Sequence, residues 1–431
     1  MSKRLFLLFI FLILTTFLIL NYQNNISFAY DDKTTHPALT DEIVDFYNLS
    51  FLNKQLTSQE KEWIIEGSIL EDTPPRWINH FYDPINKVGW NGEHTGKYDA
   101  ETVRLVSQNL IAPFGITPVS SLDWLHNSQL QAQYGFYNGI KTYNQGILEM
   151  IKGNKKKSYQ ILGHILHLIE DASVPDHTRN DTHAHELAGV TGDYGSPYEE
   201  YSKQYTRQNL DIASSFNQQG LAPIDKLTID DYLISLAEYS NQYFFSKDTI
   251  NDPKYQNPKI IRDDGEYGYG IDEDGKEFIL VAVSNITNSV DGKIEKEYYL
   301  PINNKKRDLI FPAYFSRLSR QAVLNGAGVI NLFLNDIEFK KEYSPHLITY
   351  DFSIFNYFEI PNISLTGELI RIKNIAQSFT SFAAQSVSSI GSFFSNIFGG
   401  SNRGSAQIVN NTSQNIVNKI QVQKPIQSVS Q

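Results

Sequence analysis

The chain has 431 residues, a formal net charge of −11 and no cysteine. Its 37 basic residues are scattered and outnumbered by 48 acidic ones, which excludes a dedicated duplex-DNA binder, whose affinity comes from neutralising phosphates. A phosphodiester substrate stays open, because a bound metal would bring the positive charge, and without thiolates any metal takes nitrogen and oxygen ligands.

In chain order, residues 1–29 read as a targeting segment. Ser2-Lys3-Arg4 precedes an apolar run, and Ser27-Phe28-Ala29 has the small-x-small form of a cleavage site. Cleavage there leaves Tyr30 as the first residue. An uncleaved anchor is the alternative, because the run is slightly long for a signal and slightly short for a span. Both readings imply export, to the medium or the cell surface.

Residues 40–245 read as mostly helical. Thr57-Ser-Gln-Glu60 is a capping box that opens a helix running through Leu70. Residues 122–151 read as one long amphipathic helix, and 155–173, 197–212 and 229–245 as three more. Residues 258–303 change character and read as a β-hairpin insertion. Asp264-Gly265, Asp274-Gly275 and Asp291-Gly292 are turn signals between strands at 278–283 and 296–300. Asp272-Glu-Asp-Gly275 lacks the closing Glu of a calcium loop and reads as a plain turn.

A helix at 312–334, with Leu318, Ala322, Gly326, Val329 and Phe333 on one side, closes the main domain, taken as 30–340. The extension at 341–398 carries Ile372, Ile375, Phe379, Phe382, Val387, Ile390, Phe394 and Ile397 near a helical period. That helix suits a membrane surface, the main domain or a partner. Residues 399–431 read as a disordered polar tail.

The chemistry concentrates in residues 163–177. His167 and Asp171 lie four apart in an apolar helical run, so they share a face. His177 follows Pro175, where that helix should have ended. Two imidazoles and a carboxylate so placed suit a borderline cation such as zinc. His80, His183, His185 and Glu199 are further candidates. His164 either orients a ligand or packs the helix, the second being favoured. His94, His126, His346 and Asp83 read as structural.

Several ordered motifs accompany this run: Thr35-His-Pro37, Gly67-Ser-Ile-Leu-Glu-Asp72, Asn79-His-Phe-Tyr-Asp-Pro84, Arg179-Asn-Asp-x-His183 and Pro197-Tyr-Glu199. On these the chain resembles the zinc-dependent phospholipase C and P1-type nuclease superfamily, over roughly residues 30–334. The resemblance implies an all-α, multi-helix phospholipase C/P1 nuclease-like bundle, here with the β-hairpin insertion, holding up to three zinc ions in a cleft. By position it implies that Asp72, His80, His167 and Asp171 hold one zinc. His177, His183 and Glu199 hold a second. His36, the amine and carbonyl of Tyr30 and a bridging Asp171 hold the third. Glu199 is preferred to its neighbour Glu200.

There are departures. Relatives often begin with Trp where this chain has Tyr30, and often carry a His where it has Gly195. His183 takes the place of that imidazole, with His185 as the alternative. Trp77 aligns with an aromatic near the choline headgroup, and aromatic faces attract quaternary ammonium groups. Thr73 stands where a second aromatic would be.

The implied function is an exported zinc-dependent phosphoric ester hydrolase of the phospholipase C type. Its substrate would be a phospholipid or another phosphodiester, with Asp72 also serving as general base. A P1-type single-strand nuclease and a non-catalytic, zinc-stabilised surface protein are the alternatives.

Overall fold

The computed structural model describes residues 30–73, 76–90, 118–132, 139–183, 195–250, 252–255, 258–287, 292–302 and 305–343. The segment 1–29, nearly all of the extension at 341–398 and the tail at 399–431 lie outside the described residues, as do His94, His185 and His346. By its contacts the chain divides into units at 1–359 and 360–431, and the second lies wholly outside the description.

The first unit opens with helices α1 (Thr35–Ser50) and α2 (Ser58–Glu71), followed by a tight helical turn, Arg76–Asn79. Next come α3 (Ser121–Trp124), α4 (Ser128–Ala132), α5 (Tyr143–Ile151), α6 (Lys155–Asp171), α7 (Pro175–Thr178), α8 (Pro197–Ser202), α9 (Ile212–Gln219) and α10 (Ile229–Tyr243). Strands β1 (Arg262–Asp263), β2 (Tyr267–Ile271), β3 (Glu277–Thr287) and β4 (Ile294–Tyr299) precede the long α11 (Arg307–Tyr343). The described residues are therefore mostly helical, with one small antiparallel sheet among them in the order β1-β2-β3-β4. Among the described residues, no helix is long and apolar enough to cross a membrane.

The centre of the bundle is α6, which packs on α2, α5 and α11, while α11 also packs on α1. Every residue from Ile161 to Asp171 is buried. The apolar ones (Ile161, Leu162, Ile165, Leu166, Leu168 and Ile169) join the main core with Ile43, Ile64, Val323 and Phe333. Each such side chain contributes roughly 1.5–3 kcal/mol by leaving water. The polar ones (His164, His167, Glu170 and Asp171) must find partners in that same interior.

The crossing of α2 and α6 is unusually close. A Cβ built on Gly67 would lie 1.9 Å from the Gln160 carbonyl oxygen, and one on Gly163 would lie 1.9 Å from that of Ile64. Only hydrogen fits at either place. The capping box expected at Thr57 is present in full, with Glu60 bonded back to the Thr57 backbone at 2.7 Å.

Three expectations need correction. The described residues of 122–151 form three helices rather than one. Polar side chains there capture backbone groups that a continuous helix would use. Ser120 caps α3, Thr142 caps α5, and Gln131 bonds both the Trp124 carbonyl and the Lys141 amide. Residues 197–212 do not form one helix either. The chain turns after Ser202, Asn209 accepts from the Thr206 amide, and α9 restarts with Glu42 accepting from the Ala213 amide.

The expected hairpin is a four-stranded sheet. The alternating glycines of Tyr267-Gly-Tyr-Gly-Ile271 hide β2, since glycine weakens a strand signal. Gly268 is needed because a Cβ there would meet Val281 at 2.7 Å. Tyr314 of α11 ties the sheet down by donating to the Leu280 carbonyl at 2.9 Å. The Asp272 turn is closed by its own backbone, its carboxylate accepting from the Asp274 and Lys276 amides.

Gly163→Ala must therefore push α6 off α2. The expected loss is about 1–3 kcal/mol, the usual cost of overpacking, read by chemical denaturation. Unchanged stability would show that the crossing tolerates a methyl group.

Candidate metal centre

Six elements or their ends deliver side chains to one buried region. His36 comes from the first turn of α1, and Asp72 from the residue that ends α2. His80 follows the tight turn at Arg76–Asn79. His167 and Asp171 come from α6 and His177 from the four-residue α7, which starts at Pro175. His183 lies past it, and Glu199 sits in α8, where Ser196 caps its amide at 3.1 Å. The turn after α6 is set by Val174 bonding back to the Asp171 carbonyl at 2.9 Å. Phe81 then stacks flat on the His177 ring at 4.6 Å.

The spacing of donor atoms is the informative quantity. His36 Nε2 lies 3.4 Å from Asp171 Oδ1. On the other carboxylate oxygen, Asp171 Oδ2 is 2.9 Å from His80 Nδ1 and 3.2 Å from His167 Nε2. Asp72 Oδ1 stands 3.6 Å from His80 Nδ1 and 3.5 Å from His167 Nε2. Glu199 reaches His177 Nε2 at 3.4 Å and His183 Nε2 at 3.3 Å.

Most of these separations are long for charge-assisted hydrogen bonds. They suit ligands sharing one ion. Bonds of about 2.0–2.1 Å at tetrahedral angles put neighbouring donors roughly 3.3 Å apart. Among the described residues, three groups have donor atoms that all lie within 4.8 Å of one another: His36–His167–Asp171, Asp72–His80–His167 and His177–His183–Glu199. His167 has one available nitrogen and serves one ion, whereas Asp171 offers an oxygen to each side and can bridge.

The fit is tested by what these atoms do in the folded chain. His36 Nε2, both oxygens of Asp72, both oxygens of Asp171 and Glu199 Oε1 are buried without a hydrogen bond. A buried polar group without a partner costs about 1–3 kcal/mol. A cation among them removes that cost. The donor set, imidazole and carboxylate with no sulfur, suits zinc.

Behind the donors lies a second layer that orients the rings. Glu170 accepts from His36 Nδ1 at 2.5 Å, the Ser68 carbonyl from His167 Nδ1 at 2.9 Å, and the Asp181 carbonyl from His183 Nδ1 at 2.7 Å. Each contact leaves the Nε2 lone pair of a neutral ring facing the cluster, the arrangement found around metal-bound histidines.

Glu71 anchors the other side. It accepts from Arg76 at 2.8 Å and Trp124 at 2.7 Å, pairs with His164, and stands 3.6 Å from His80 Nε2. Burial raises the Glu71 carboxyl, but Arg76 and His164 outweigh it and hold it well below the usual range. His164 goes the other way. Burial drops its imidazole to about 3, so it stays neutral.

The cluster imidazoles behave differently from His164. Burial lowers His36, yet Asp171 and Glu170 outweigh burial and the neighbouring His167, and lift it to about 9. Burial lowers His183, yet Glu199 and Asp176 lift it to about 10. His80 and His167 are raised by Asp171 in the same way. Burial raises Asp171 and Asp72, but the imidazoles around them pull both down.

Of the residues picked from sequence, the structure brings His36, Asp72, His80, His167, Asp171, His177, His183 and Glu199 into these groups. Tyr30 is buried beside them, its ring edge-on to His36 at 5.6 Å and its hydroxyl on Tyr198. Trp77 packs edge-on against Trp90 at 6.1 Å. Glu200 instead faces solvent and pairs with Lys203. Asp83 holds its own turn by accepting from the Ile85 and Asn86 amides. His126 pairs with Asp230 near the surface. His164 was expected mainly to pack, but it is tied to Glu71. Glu71 and Glu170 were missed, although both stand directly before a picked Asp in a Glu-Asp pair.

Zinc needs neutral imidazoles. At pH 7.5 the metal-free protein holds protons on His36 and His183, since their pKa values are about 9 and 10. Zinc uptake at that pH should therefore release protons, seen calorimetrically as heats that vary with buffer ionisation enthalpy. Raised folded pKa values also mean that these two groups stabilise the metal-free fold fully below about pH 6.5, the unfolded value. That contribution fades as pH passes 9–10. Buffer-independent heats would contradict this picture.

No family model matches this chain, and no curated protein does. Among solved structures, the alpha toxin from Clostridium absonum is similar at 12% identity, with a TM-score of 0.34. The match covers 72% of this chain and 66% of that one, so the chain spans a little under two thirds of its length. This is a distant structural likeness, and the site geometry stands independently of it.

Proposed function

We propose that this chain is an exported zinc-dependent phosphoric ester hydrolase of the phospholipase C type. One observation supports the reading above others: three buried groups of imidazole and carboxylate donors share a region, spaced for ions rather than for hydrogen bonds. Structural zinc sites are closed by four protein ligands, whereas catalytic ones keep a position open. Among the described residues the His177–His183–Glu199 group supplies three donors, and a position left open there would suit catalysis.

Zinc, when bound, supplies Lewis-acid polarisation of a phosphoryl oxygen and activates water near neutral pH. The chain's own residues do the rest. Asp72 and Glu199 keep slight solvent contact, 8% and 5%, while His36, His167, Asp171 and His177 keep none. Burial raises Asp72, but His167, His36 and His80 outweigh it. Its carboxylate stays ionised at neutral pH, the state needed to accept a proton from attacking water.

Asp171 faces His80 and His167 with one oxygen and His36 with the other, so one side chain stands between three rings. In this proposal Trp77 offers an aromatic face to a cationic headgroup, and the leader at 1–29 directs export.

The test assays short-chain phosphatidylcholine and single-stranded DNA side by side, with and without chelator. Phosphocholine release abolished by chelator is expected. Chelator-sensitive nucleotide release would instead place the chain with the nucleases. Zinc-loaded protein active on neither would contradict both. Asp72→Asn should lower turnover by about 10²–10⁴-fold, as loss of a general base does, with zinc retained. Full turnover with zinc retained would remove Asp72 from that role.

A further inference from the structure

We propose that Glu170 is a positioning residue for His36, and that it sets how tightly the ion between His36 and Asp171 is held. The inference rests on the metal-centre reading and goes beyond its ligand set. Glu170 is fully buried in α6, one residue before Asp171. Its two oxygens have separate partners. Oε2 lies 2.5 Å from His36 Nδ1, and Oε1 accepts from the Thr40 hydroxyl at 2.7 Å. His36 and Thr40 are one turn apart on α1, so a single helix face grips the carboxylate at both ends.

The consequence for His36 is specific. A neutral imidazole carries one proton. With Nδ1–H donated to Glu170, the lone pair lies on Nε2, the atom that faces Asp171 Oδ1 at 3.4 Å and makes no hydrogen bond. The ring is also stacked on His167 at 3.7 Å, which blocks tilting but leaves a flip about its own axis open. Glu170 closes that option, because a flipped ring would turn carbon toward it. Thr40 in turn keeps Glu170 from swinging away. A carboxylate behind an imidazole also makes it a stronger donor.

The Glu-Asp pair at 170–171 therefore divides its work: Asp171 meets the ion, and Glu170 aims a ligand at it. The Ser68 and Asp181 carbonyls hold His167 and His183 from behind. They are uncharged, so the carboxylate should strengthen His36 beyond what His167 and His183 gain from theirs.

The experiment measures zinc affinity of the full chain in zinc buffers, by competition with a chromogenic chelator, and records the spectrum of the cobalt-substituted protein. Wild type, Glu170→Gln, Thr40→Val, His36→Ala and the His36→Ala/Glu170→Gln double variant are compared. Glu170→Gln should weaken one zinc equivalent by about 10–100-fold, the usual size for such partners, and alter the cobalt spectrum. Thr40→Val should act in the same direction by less.

In the His36→Ala background, Glu170→Gln should change affinity no further, because Glu170 acts through that ring. Were Glu170 merely a packing residue, Glu170→Gln would lower stability alike with and without zinc and leave affinity untouched. That result overturns the proposal, as does an equal loss of affinity in the His36→Ala background. If Glu170→Gln fails to fold, Thr40→Val decides: wild-type affinity there overturns it. Wild-type protein that takes up no zinc would overturn the metal-centre reading itself.

Discussion

Two glycines let the rest of this molecule exist as it does. Gly67 and Gly163 allow α2 and α6 to cross with backbone against backbone, closer than any side chain would permit. That contact carries the Ser68 carbonyl to His167 and Glu71 to His164, and brings Asp72 within 3.6 Å of both His80 and His167. A methyl group at either position would separate the helices and pull the two acidic helix ends out of register with the imidazoles between them. Position, here, is inherited from backbone approach rather than from long reaching side chains.

Burial then makes the cluster demanding. His36, His80, His167 and His177 are at most 1% exposed, and the carboxylates facing them are nearly as sheltered. Charges in such an interior need partners or a metal. The two kinds of histidine in the core show the difference. His164, held against a Glu71 already claimed by Arg76, stays neutral at neutral pH. His36 and His183, facing carboxylates that no Arg or Lys among the described residues pairs with, keep their protons until about pH 9 and 10. Protons stand in for the missing positive charge in the metal-free chain. A divalent ion does the same with better geometry, given donors already about one tetrahedral edge apart.

Much of this was legible in the sequence because the relevant signals are local. His167 and Asp171 are one turn apart, Pro175 announces the break before His177, and the Thr57 capping box is written in four residues. The ligand picks that depended on the resemblance, His36 and Asp72, came from ordered motifs, and the structure brings them to the same region.

What was not legible depends on long-range partners. Gln131 and Thr142 break the helix expected over 122–151 by binding backbone groups whose positions only the fold defines. Strand β2 was masked by the glycines that let Val281 pack against it. Glu71 and Glu170 read as ordinary charged residues, since nothing nearby in sequence says that Arg76, His164, His36 and Thr40 surround them.

The central claim is that these groups hold metal, and the most direct measurement is elemental analysis of the purified protein with the ions located by anomalous scattering. The account predicts zinc between Asp72, His80 and His167, between His177, His183 and Glu199, and between His36 and Asp171. Zinc-replete protein with no metal in these places, its imidazoles closed onto the carboxylates by hydrogen bonds, would contradict it.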